Sequence, residues 1–301
     1  MKARPLHPGD PISVVAPGGP VRRVRLEKGI DALLDQGHPV EVGPHVLARR
    51  GFLAGPDEER AADLNAAIHR RDVPAIFFAR GGAGSARILD RIDLEALRER
   101  PRVLLGYSDV TSIFMAIQKP GRPYPVRYGP VVIELGEPDS YAPRSLREAL
   151  YLPSARLGHP LASSRVLRPG RGRGVLIGGC LTLLVGLLGT PYDMPWDGCI
   201  LFWEDLNEAP YRIDRMLHQL RLAGKLRNLA GMVVGRLAGC GPKPAAPGLP
   251  IPQIIAEATS GTRYPIVMNF PCGHIRRKRT LLLGVPADLD TDRSRLTLEA
   301  R

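Results

Sequence analysis

The feature that most constrains the fold is an alternation of short apolar runs and amphipathic stretches over residues 1–118. Each apolar run has the length of a buried strand and ends near glycine or proline, and each amphipathic stretch has the length of a helix. Strands that alternate with helices are typical of βαβ units in a parallel sheet. The predicted strands are 12–16, 39–42, 74–79 and 102–105, and the predicted helices are 23–36, 57–71, a stretch that ends near 91, and 110–118.

The pattern changes after about residue 135. The stretch 136–174 is rich in Pro, Ser, Arg and Gly and is predicted to be a linker. A second unit follows, in which 209–223 is the clearest helix because Pro210 suits its first turn and one of its faces is apolar. The predicted strands of this unit lie near 175–178, 199–203, 231–236, 265–270 and 281–285, and 239–252 is predicted to be a loop.

Composition narrows the class of protein. The 42 Lys and Arg against 30 Asp and Glu give a net charge of +12, but the excess is spread along the chain, which favours a solvated surface over nucleic-acid binding. The basic run Arg276–Arg279 lacks interleaved aromatic residues, so surface exposure is the first interpretation and attraction of an anionic substrate the second. The four cysteines form no zinc or disulfide pattern. With no apolar leader and no membrane-length segment, we expect a soluble cytoplasmic protein.

Ser108 is the first candidate for chemistry. It lies in Gly106-Tyr-Ser-Asp109, between a predicted buried strand and a predicted helix, where a hydroxyl is exposed at the edge of the sheet and faces helix amides. The position suits a nucleophile elbow, although the letters do not match G-x-S-x-G. The alternative, which the local sequence favours, is that Ser108 or Asp109 caps the following helix.

A serine nucleophile needs a base, and the base needs an orienting acid. Of the seven histidines, His274 ranks first because it ends a tight Pro271-Cys-Gly-His loop after a predicted strand, with a surface loop as the alternative. Glu204 is the best candidate for the acid, since it lies nearest the strand that precedes Asp205 and Glu208. For those two carboxylates, capping of the next helix is a serious alternative.

The glycine-rich loop Arg80–Ser85 has three possible roles. Its amides could form an oxyanion hole beside Ser108 or cradle a phosphate, or the loop could only make a tight turn. It matches neither of the common nucleotide-binding glycine motifs.

Taken together, these segments resemble the LD-carboxypeptidase family of serine peptidases. The matching motifs occur in the order of the family over nearly the whole chain, which makes the resemblance specific. They are 8–17, 79–85, 105–111, 128–130, 177–184, 188–191, 203–208, 211–215 and 273–274.

The resemblance implies an α/β fold with a parallel-sheet N-terminal domain that carries the nucleophile and a smaller, β-rich C-terminal domain that carries acid and base. We place these domains at 1–140 and 174–301, with a linker over 141–173. The implied nucleophile is Ser108, the base His274 and the acid Glu204, and the implied oxyanion donors are the amides of Asp109 and Gly81.

The resemblance also implies cleavage of the L,D amide bond before the terminal D-Ala of cytoplasmic murein tetrapeptide, through an acyl-enzyme. It implies a small peptide or muropeptide substrate, no metal or other cofactor, no nucleic-acid or membrane partner, and a homodimer. Three departures put the substrate in doubt: Ala83 stands where the family often has Tyr, Cys180 stands where it has Asn, and the segment after Gly273-His274 is unusually basic. The alternatives are a hydrolase of peptidyl-nucleotide antibiotics, as in the microcin C immunity branch, and a binding homologue with altered catalysis.

Overall fold

The computed structural model describes residues 4–137, 139–152, 156–241 and 248–299. The chain divides into two compact units, and each unit consists of two separate stretches of sequence. The first unit contains Met1–Pro153 and Arg276–Leu283, and the second contains Ser154–Ile275 and Gly284–Arg301. Within the described ranges, no helix has both the length and the apolar character needed to span a bilayer.

The elements follow one another in this order. The strands are β1 (Ile12–Val15), β2 (Val40–Val42), β3 (Ala75–Phe78), β4 (Val103–Gly106), β5 (Val126–Tyr128), β6 (Arg156–Pro160), β7 (Arg165–Arg168), β8 (Arg171–Cys180), β9 (Ile200–Leu206), β10 (Gly231–Ala238), β11 (Ile266–Met268), β12 (Leu281–Leu283), β13 (Val285–Asp290) and β14 (Arg295–Glu299). The helices are α1 (Arg23–Leu34), α2 (Asp57–His69), α3 (Leu94–Glu99), α4 (Thr111–Ala116), α5 (Val132–Leu135), α6 (Pro143–Tyr151), α7 (Leu181–Gly186), α8 (Pro210–Leu222) and α9 (Ile251–Ala258), with 3₁₀ turns at Ser85–Arg91 and Ser108–Val110.

The sheet of the first unit has the strand order β12-β5-β4-β3-β1-β2. The strands from β5 to β2 are parallel to their neighbours, and β12 is antiparallel to β5 at the edge. β1, β3 and β4 are buried along their whole length. Because parallel strands end at the same edge of a sheet, the turns after β1, β3 and β4 lie on one side, where ligands of such sheets bind.

The sheet of the second unit has the order β6-β14-β13-β8-β9-β10-β11-β7. Its four central strands, β8 to β11, are parallel, and the strands on both sides are antiparallel. The register pairs Cys180 at the end of β8 with Glu204 on β9. Glu204 therefore lies near the carboxyl end of a buried parallel strand.

This architecture confirms the predicted α/β fold class, with a parallel sheet first and a strand-rich part second. One predicted strand was assigned to the wrong sheet. The run 281–285 contains two strands, because Gly284 adopts a positive φ of 73° and separates them. β12 pairs with β5 in the first sheet, and only β13 joins the second. An apolar run that is buried on both faces suits either sheet, so its composition did not distinguish them.

The stretch 136–174, predicted to be a linker, contains α6, β6, β7 and the beginning of β8. Pro143 stands in the first turn of α6, where a missing backbone N–H costs nothing, so this proline begins a helix. β6 and β7 are the two edge strands of the second sheet, and edge strands tolerate polar residues and proline. The bounds 1–140 and 174–301 stay predictions.

Candidate active site

Ser108 lies at a sharp turn after β4. Tyr107 is extended, with φ −158° and ψ −174°, and Ser108 itself has a φ of 67°, in the left-handed region that non-glycine residues rarely adopt. The residue at the N-cap of α4 is Val110, so the capping interpretation of Ser108 does not hold for that helix. A strained serine between a strand and a helix is the geometry of a nucleophile elbow.

The carboxylate of Asp109 holds the glycine-rich loop against this turn. It accepts backbone N–H groups from Ser85 at 2.9 Å and Gly84 at 3.2 Å, and the Ser85 hydroxyl donates to the Asp109 carbonyl at 2.5 Å. Burial raises the pKa of the Asp109 carboxyl, and the hydrogen bonds from Ser85 act against that shift. The sequence pattern suggested a helix cap at Asp109 and gave no sign of this side-chain role.

Gly81 lies directly against Ser108. A Cβ atom at Gly81 would be 2.9 Å from the Ser108 Cβ and 3.1 Å from its Oγ, so a larger residue would push on the hydroxyl. The Gly81 carbonyl accepts the Gly19 N–H at 2.8 Å. The fully buried Arg60 side chain donates to the Gly84 carbonyl at 2.9 Å. The first unit thus brings Gly81, Ser108 and Asp109 together.

The second unit brings Glu204 and His274 together. The His274 Nδ1 lies 2.7 Å from Glu204 Oε2, and the His274 backbone N–H donates to the same oxygen at 3.2 Å. Glu204 is completely buried, whereas the His274 side chain is 14% exposed. A buried carboxylate on Nδ1 fixes the ring and its tautomer, which leaves Nε2 as the nitrogen that would exchange a proton with a substrate or nucleophile.

Glycines surround the Glu204 carboxylate. A Cβ on Gly273 would lie 2.6 Å from Oε2, and a Cβ on Gly235 would lie 2.8 Å from the Glu204 Cβ. Gly273 also has a φ of 117°, which side chains rarely adopt. Only glycine therefore fits at position 273, directly before the His274 imidazole that contacts the buried Glu204 carboxylate.

The two neighbouring carboxylates have other partners. Asp205 accepts the backbone N–H and the hydroxyl of Thr182, both at 2.8 Å, and the N–H of Leu206 at 2.8 Å. It therefore stabilises the start of α7, and not the start of α8 as the capping interpretation suggested. Glu208 is 3.5 Å from Arg212 in the first turn of α8. Of the three carboxylates, Glu204 is the one that binds His274.

The basic run 276–279 divides into exposed and buried residues. Arg276 and Arg277 are exposed and pair with Asp139, as expected of surface residues. Lys278 is 3% exposed and its Nζ lies 2.7 Å from Glu134 Oε1, so the surface interpretation is wrong for this residue. Within the described residues, no cluster of three or more His, Cys, Asp or Glu side chains could hold a metal ion.

Two of the departures from the family motifs, Ala83 and Cys180, differ in exposure. Ala83 is exposed on the glycine-rich loop. Cys180 is buried, and burial raises the pKa of its thiol, so it stays protonated at neutral pH. Its register partner Glu204 makes it a neighbour of the candidate acid.

The sequence pattern did not indicate two contacts beside Ser108. The Ser108 backbone N–H donates to the Tyr128 hydroxyl at 3.3 Å, and the Tyr107 hydroxyl donates to Glu134 Oε1 at 2.8 Å. Tyr128 belongs to a predicted family motif, but Glu134 follows it in a stretch with no catalytic signature.

Comparison with known proteins agrees with this architecture. Residues 12–123 match the family model of the LD-carboxypeptidase N-terminal domain, and residues 173–289 match that of the LD-carboxypeptidase C-terminal domain. The chain belongs to the LD-carboxypeptidase family.

Named relatives include two branches. The murein tetrapeptide carboxypeptidase of Pseudomonas aeruginosa is 32% identical over 94% of this chain and 94% of its own. The microcin C7 self-immunity protein of Escherichia coli is 26% identical over 99% of this chain and 95% of its own. The crystal structure of a muramoyltetrapeptide carboxypeptidase from Oxalobacter formigenes has a TM-score of 0.84 and 29% identity, covering 96% of this chain and 97% of its own. The two carboxypeptidases among these relatives support peptide hydrolysis as the class of activity.

Proposed function

We propose that the protein is a serine-type LD-carboxypeptidase that releases the terminal D-Ala from murein tetrapeptide. The observation that carries the proposal is the 2.7 Å contact between His274 Nδ1 and the fully buried Glu204 carboxylate. A buried acid that orients a partly exposed imidazole is the base half of a catalytic triad. The strained turn at Ser108 supplies a hydroxyl of the type that such a base activates.

In the proposed reaction, His274 Nε2 accepts the Ser108 hydroxyl proton while Oγ attacks the carbonyl carbon of the L,D amide. The amides of Asp109 and Gly81 stabilise the resulting oxyanion, a contribution of about 3–4 kcal/mol for one donor in other enzymes. His274 then gives its proton to the amine of the leaving D-Ala, which leaves an acyl-enzyme on Ser108. A water molecule, deprotonated by His274, attacks the ester, and the proton returns to Ser108.

The contacts of the glycine-rich loop support the assignment of Gly81. Asp109 and Arg60 bind the backbone of Gly84 and Ser85, which fixes the loop while Gly81 contacts Ser108. A preorganised loop stabilises charge in the transition state without having to rearrange. This arrangement favours the oxyanion role over a phosphate cradle.

Ser108→Ala tests the proposal, with D-Ala release from murein tetrapeptide followed by mass spectrometry. The wild-type protein should release D-Ala, and the variant should lose at least about a thousandfold in kcat. Ser112→Ala is the matched control, since the buried Ser112 Oγ has no hydrogen-bond partner in the described part of the chain, and this variant should keep its activity. Release of D-Ala by Ser108→Ala at the wild-type rate would end the proposal.

A hydrolase of peptidyl-nucleotide antibiotics is the second candidate, supported by the microcin C7 relative. The basic run 276–279 gives this candidate little support, because Arg276 and Arg277 pair with Asp139 and Lys278 with Glu134. Turnover of murein tetrapeptide beside that of a peptidyl-adenylate analogue distinguishes the two substrates. Labelling of Ser108 by a fluorophosphonate would exclude a homologue that only binds.

A further inference from the structure

A buried polar cluster in the first unit holds the residue before Ser108. The cluster, here called the Tyr107 clamp, consists of Tyr107, Glu134 and Lys278. The Tyr107 hydroxyl donates to Glu134 Oε1 at 2.8 Å, and Lys278 Nζ lies 2.7 Å from the same oxygen. Lys278 Nζ also lies 4.7 Å from the centroid of the Tyr107 ring. A single carboxylate oxygen and a single ammonium group thus bind the Tyr107 side chain at its hydroxyl and at its face.

The members of the clamp satisfy one another's charges away from solvent. The Lys278 side chain is 3% exposed and that of Glu134 is 15% exposed. The second oxygen of Glu134 accepts the Val131 N–H at 3.3 Å. An ammonium group between a carboxylate and an aromatic face is stabilised by both. Removal of one charge would therefore leave the other buried without compensation.

The clamp acts on the turn that carries the candidate nucleophile. Ser108 has a φ of 67°, a conformation that persists only where the surrounding structure fixes it. Tyr107 also packs edge to face against Tyr128, with ring centroids 6.0 Å apart, and Tyr128 accepts the Ser108 N–H. Because its side chain is held by these contacts, Tyr107 restrains the backbone that leads directly into the strained Ser108.

Lys278 is itself held at its backbone. Its carbonyl accepts the Ala142 N–H at 2.9 Å, and it forms a parallel bridge with Tyr141. Three residues further on, β12 begins and pairs with β5. In the sequence, Lys278 follows the candidate base His274 by four residues. The short segment that follows the candidate base His274 therefore also supplies the cation of the Tyr107 clamp.

We propose that Lys278 and Glu134 are positioning residues for Ser108, which act through Tyr107 to fix the direction of the nucleophilic hydroxyl. The inference rests on the proposed function and adds two residues to its machinery. Buried ion pairs contribute little net stability compared with apolar residues of the same size. What the pair supplies is a defined position for Tyr107, and hence for the residue that follows it.

Lys278→Met tests the proposal, because methionine keeps most of the side-chain length and removes the charge. Lys225→Met is the matched control in the second unit. Lys225 Nζ lies 2.5 Å from Asp193 Oδ1 and 5.6 Å from the Trp196 ring centroid, so both variants remove an ion pair and a cation–π contact. The measurements are the rate constant for fluorophosphonate labelling of Ser108, and kcat and KM for D-Ala release, below the unfolding temperature of each variant.

Lys278→Met should lower the labelling rate constant and kcat at least about tenfold with KM within about twofold, because a displacement of a nucleophile by less than 1 Å has effects of this size. Lys225→Met should leave all three unchanged. The double variant Tyr107→Phe/Lys278→Met should lose less than the product of the two single losses, since both act through one contact. A structural role alone would lower the unfolding temperature and leave kcat and the labelling rate unchanged.

Two further variants cover a failure of Lys278→Met to fold. Glu134→Gln keeps the size of the side chain, and Tyr107→Phe removes only the hydroxyl, and each should lower kcat with little change in KM. If the wild-type protein reacts and a folded variant of the Tyr107 clamp keeps the wild-type kcat and labelling rate, the positioning role is overturned and the proposed function is not. A wild-type protein that neither labels at Ser108 nor releases D-Ala overturns the proposed function, and the positioning role with it.

Discussion

The Cα atom of Gly273 faces the carboxylate of Glu204 so closely that a Cβ atom there would lie 2.6 Å from Oε2. Glycine at this position is therefore a condition of the contact between Glu204 and His274, which follows it directly. The positive φ of 117° at Gly273 adds a second reason why no side chain fits.

Gly273→Ala should accordingly reduce kcat for D-Ala release at least about tenfold, because the acid or the imidazole must move to admit the methyl group. Gly261→Ala is the control, since Gly261 also has a positive φ, of 81°, but a Cβ there meets nothing within 4 Å. The control should lose about 1–2 kcal/mol of stability and keep its kcat. Equal kcat values for the two variants, measured by mass spectrometry of the product, would contradict the role of Gly273.

Glu204→Gln should lower kcat at least about a hundredfold, because the amide keeps the size of the side chain but loses the charge that stabilises an imidazolium and fixes its tautomer. Asp205→Asn is a control one residue away. Asp205 binds Thr182 and Leu206, so its variant should lose about 1–3 kcal/mol of stability and little activity. Steady-state kinetics beside urea unfolding separates the two effects, and a kcat of Glu204→Gln within tenfold of wild type would remove Glu204 from the triad.

Gly81→Ala should slow both D-Ala release and fluorophosphonate labelling at least about tenfold, since a Cβ there would lie 3.1 Å from the Ser108 hydroxyl and displace it or the loop. Gly186→Ala, at the end of α7, serves as the comparison because its Cβ would meet nothing within 4 Å. Alanine favours a helix over glycine, so this control should be as stable as wild type or up to about 1 kcal/mol more stable. Unimpaired labelling of Gly81→Ala would show that the loop does not constrain Ser108.

The lowered pKa of Asp57 should make the free energy of unfolding depend on pH in the acid range. Hydrogen bonds from Arg87 and then Arg60 lower the pKa of its carboxyl from 3.8 to about 2. Because the folded pKa is lowered, the stabilisation is fully present above pH 3.8 and is lost as the pH falls towards 2. Asp57→Asn should therefore be less stable than wild type at pH 7, and the difference should close between those two pH values in urea unfolding. A difference that stays constant with pH would contradict the assignment.

Asp288 provides the matched control for this experiment. Hydrogen bonds from Arg171 and then Arg173 lower the pKa of its carboxyl from 3.8 to about 2 as well. Asp288→Asn should show the same loss of stability with the same pH window. Asp57 differs in that it binds Arg60, which holds the carbonyl of Gly84. Asp57→Asn should therefore also lower kcat, and Asp288→Asn should not.

The sequence indicated the parallel sheet, and Glu204 and His274 as the acid and the base of the candidate site, because those signals are local. Strands such as β1, β3 and β4 are short apolar runs that end in glycine-bearing turns. Glu204 lies near the end of a buried strand and His274 follows another, each in a recognisable motif. The 2.7 Å contact between Glu204 and His274 joins a residue near the end of β9 to a residue that follows β11, and both strands belong to the parallel part of the second sheet.

The features that the sequence did not indicate depend on contacts between residues that are distant in the chain. Lys278 and Glu134 are 144 residues apart, and nothing near either residue indicates the other. Lys278 therefore appeared as one more cation in a basic run. The strand Leu281–Leu283 was assigned to the sheet next to it in sequence, whereas it pairs with Val126–Tyr128, which lies about half the length of the chain away. Asp109 similarly bound a loop and not the helix that it precedes.

The return of residues Arg276–Leu283 to the first unit has a consequence for biosynthesis. A ribosome must translate most of the polypeptide before the edge strand β12 emerges from the exit tunnel. The first sheet therefore cannot be completed at the stage when only residues of the first stretch, up to Pro153, have emerged. The same arrangement means that a gene fragment ending at Pro153 encodes an unfinished unit, and that recombination between relatives must exchange two separate stretches of coding sequence to transfer it whole.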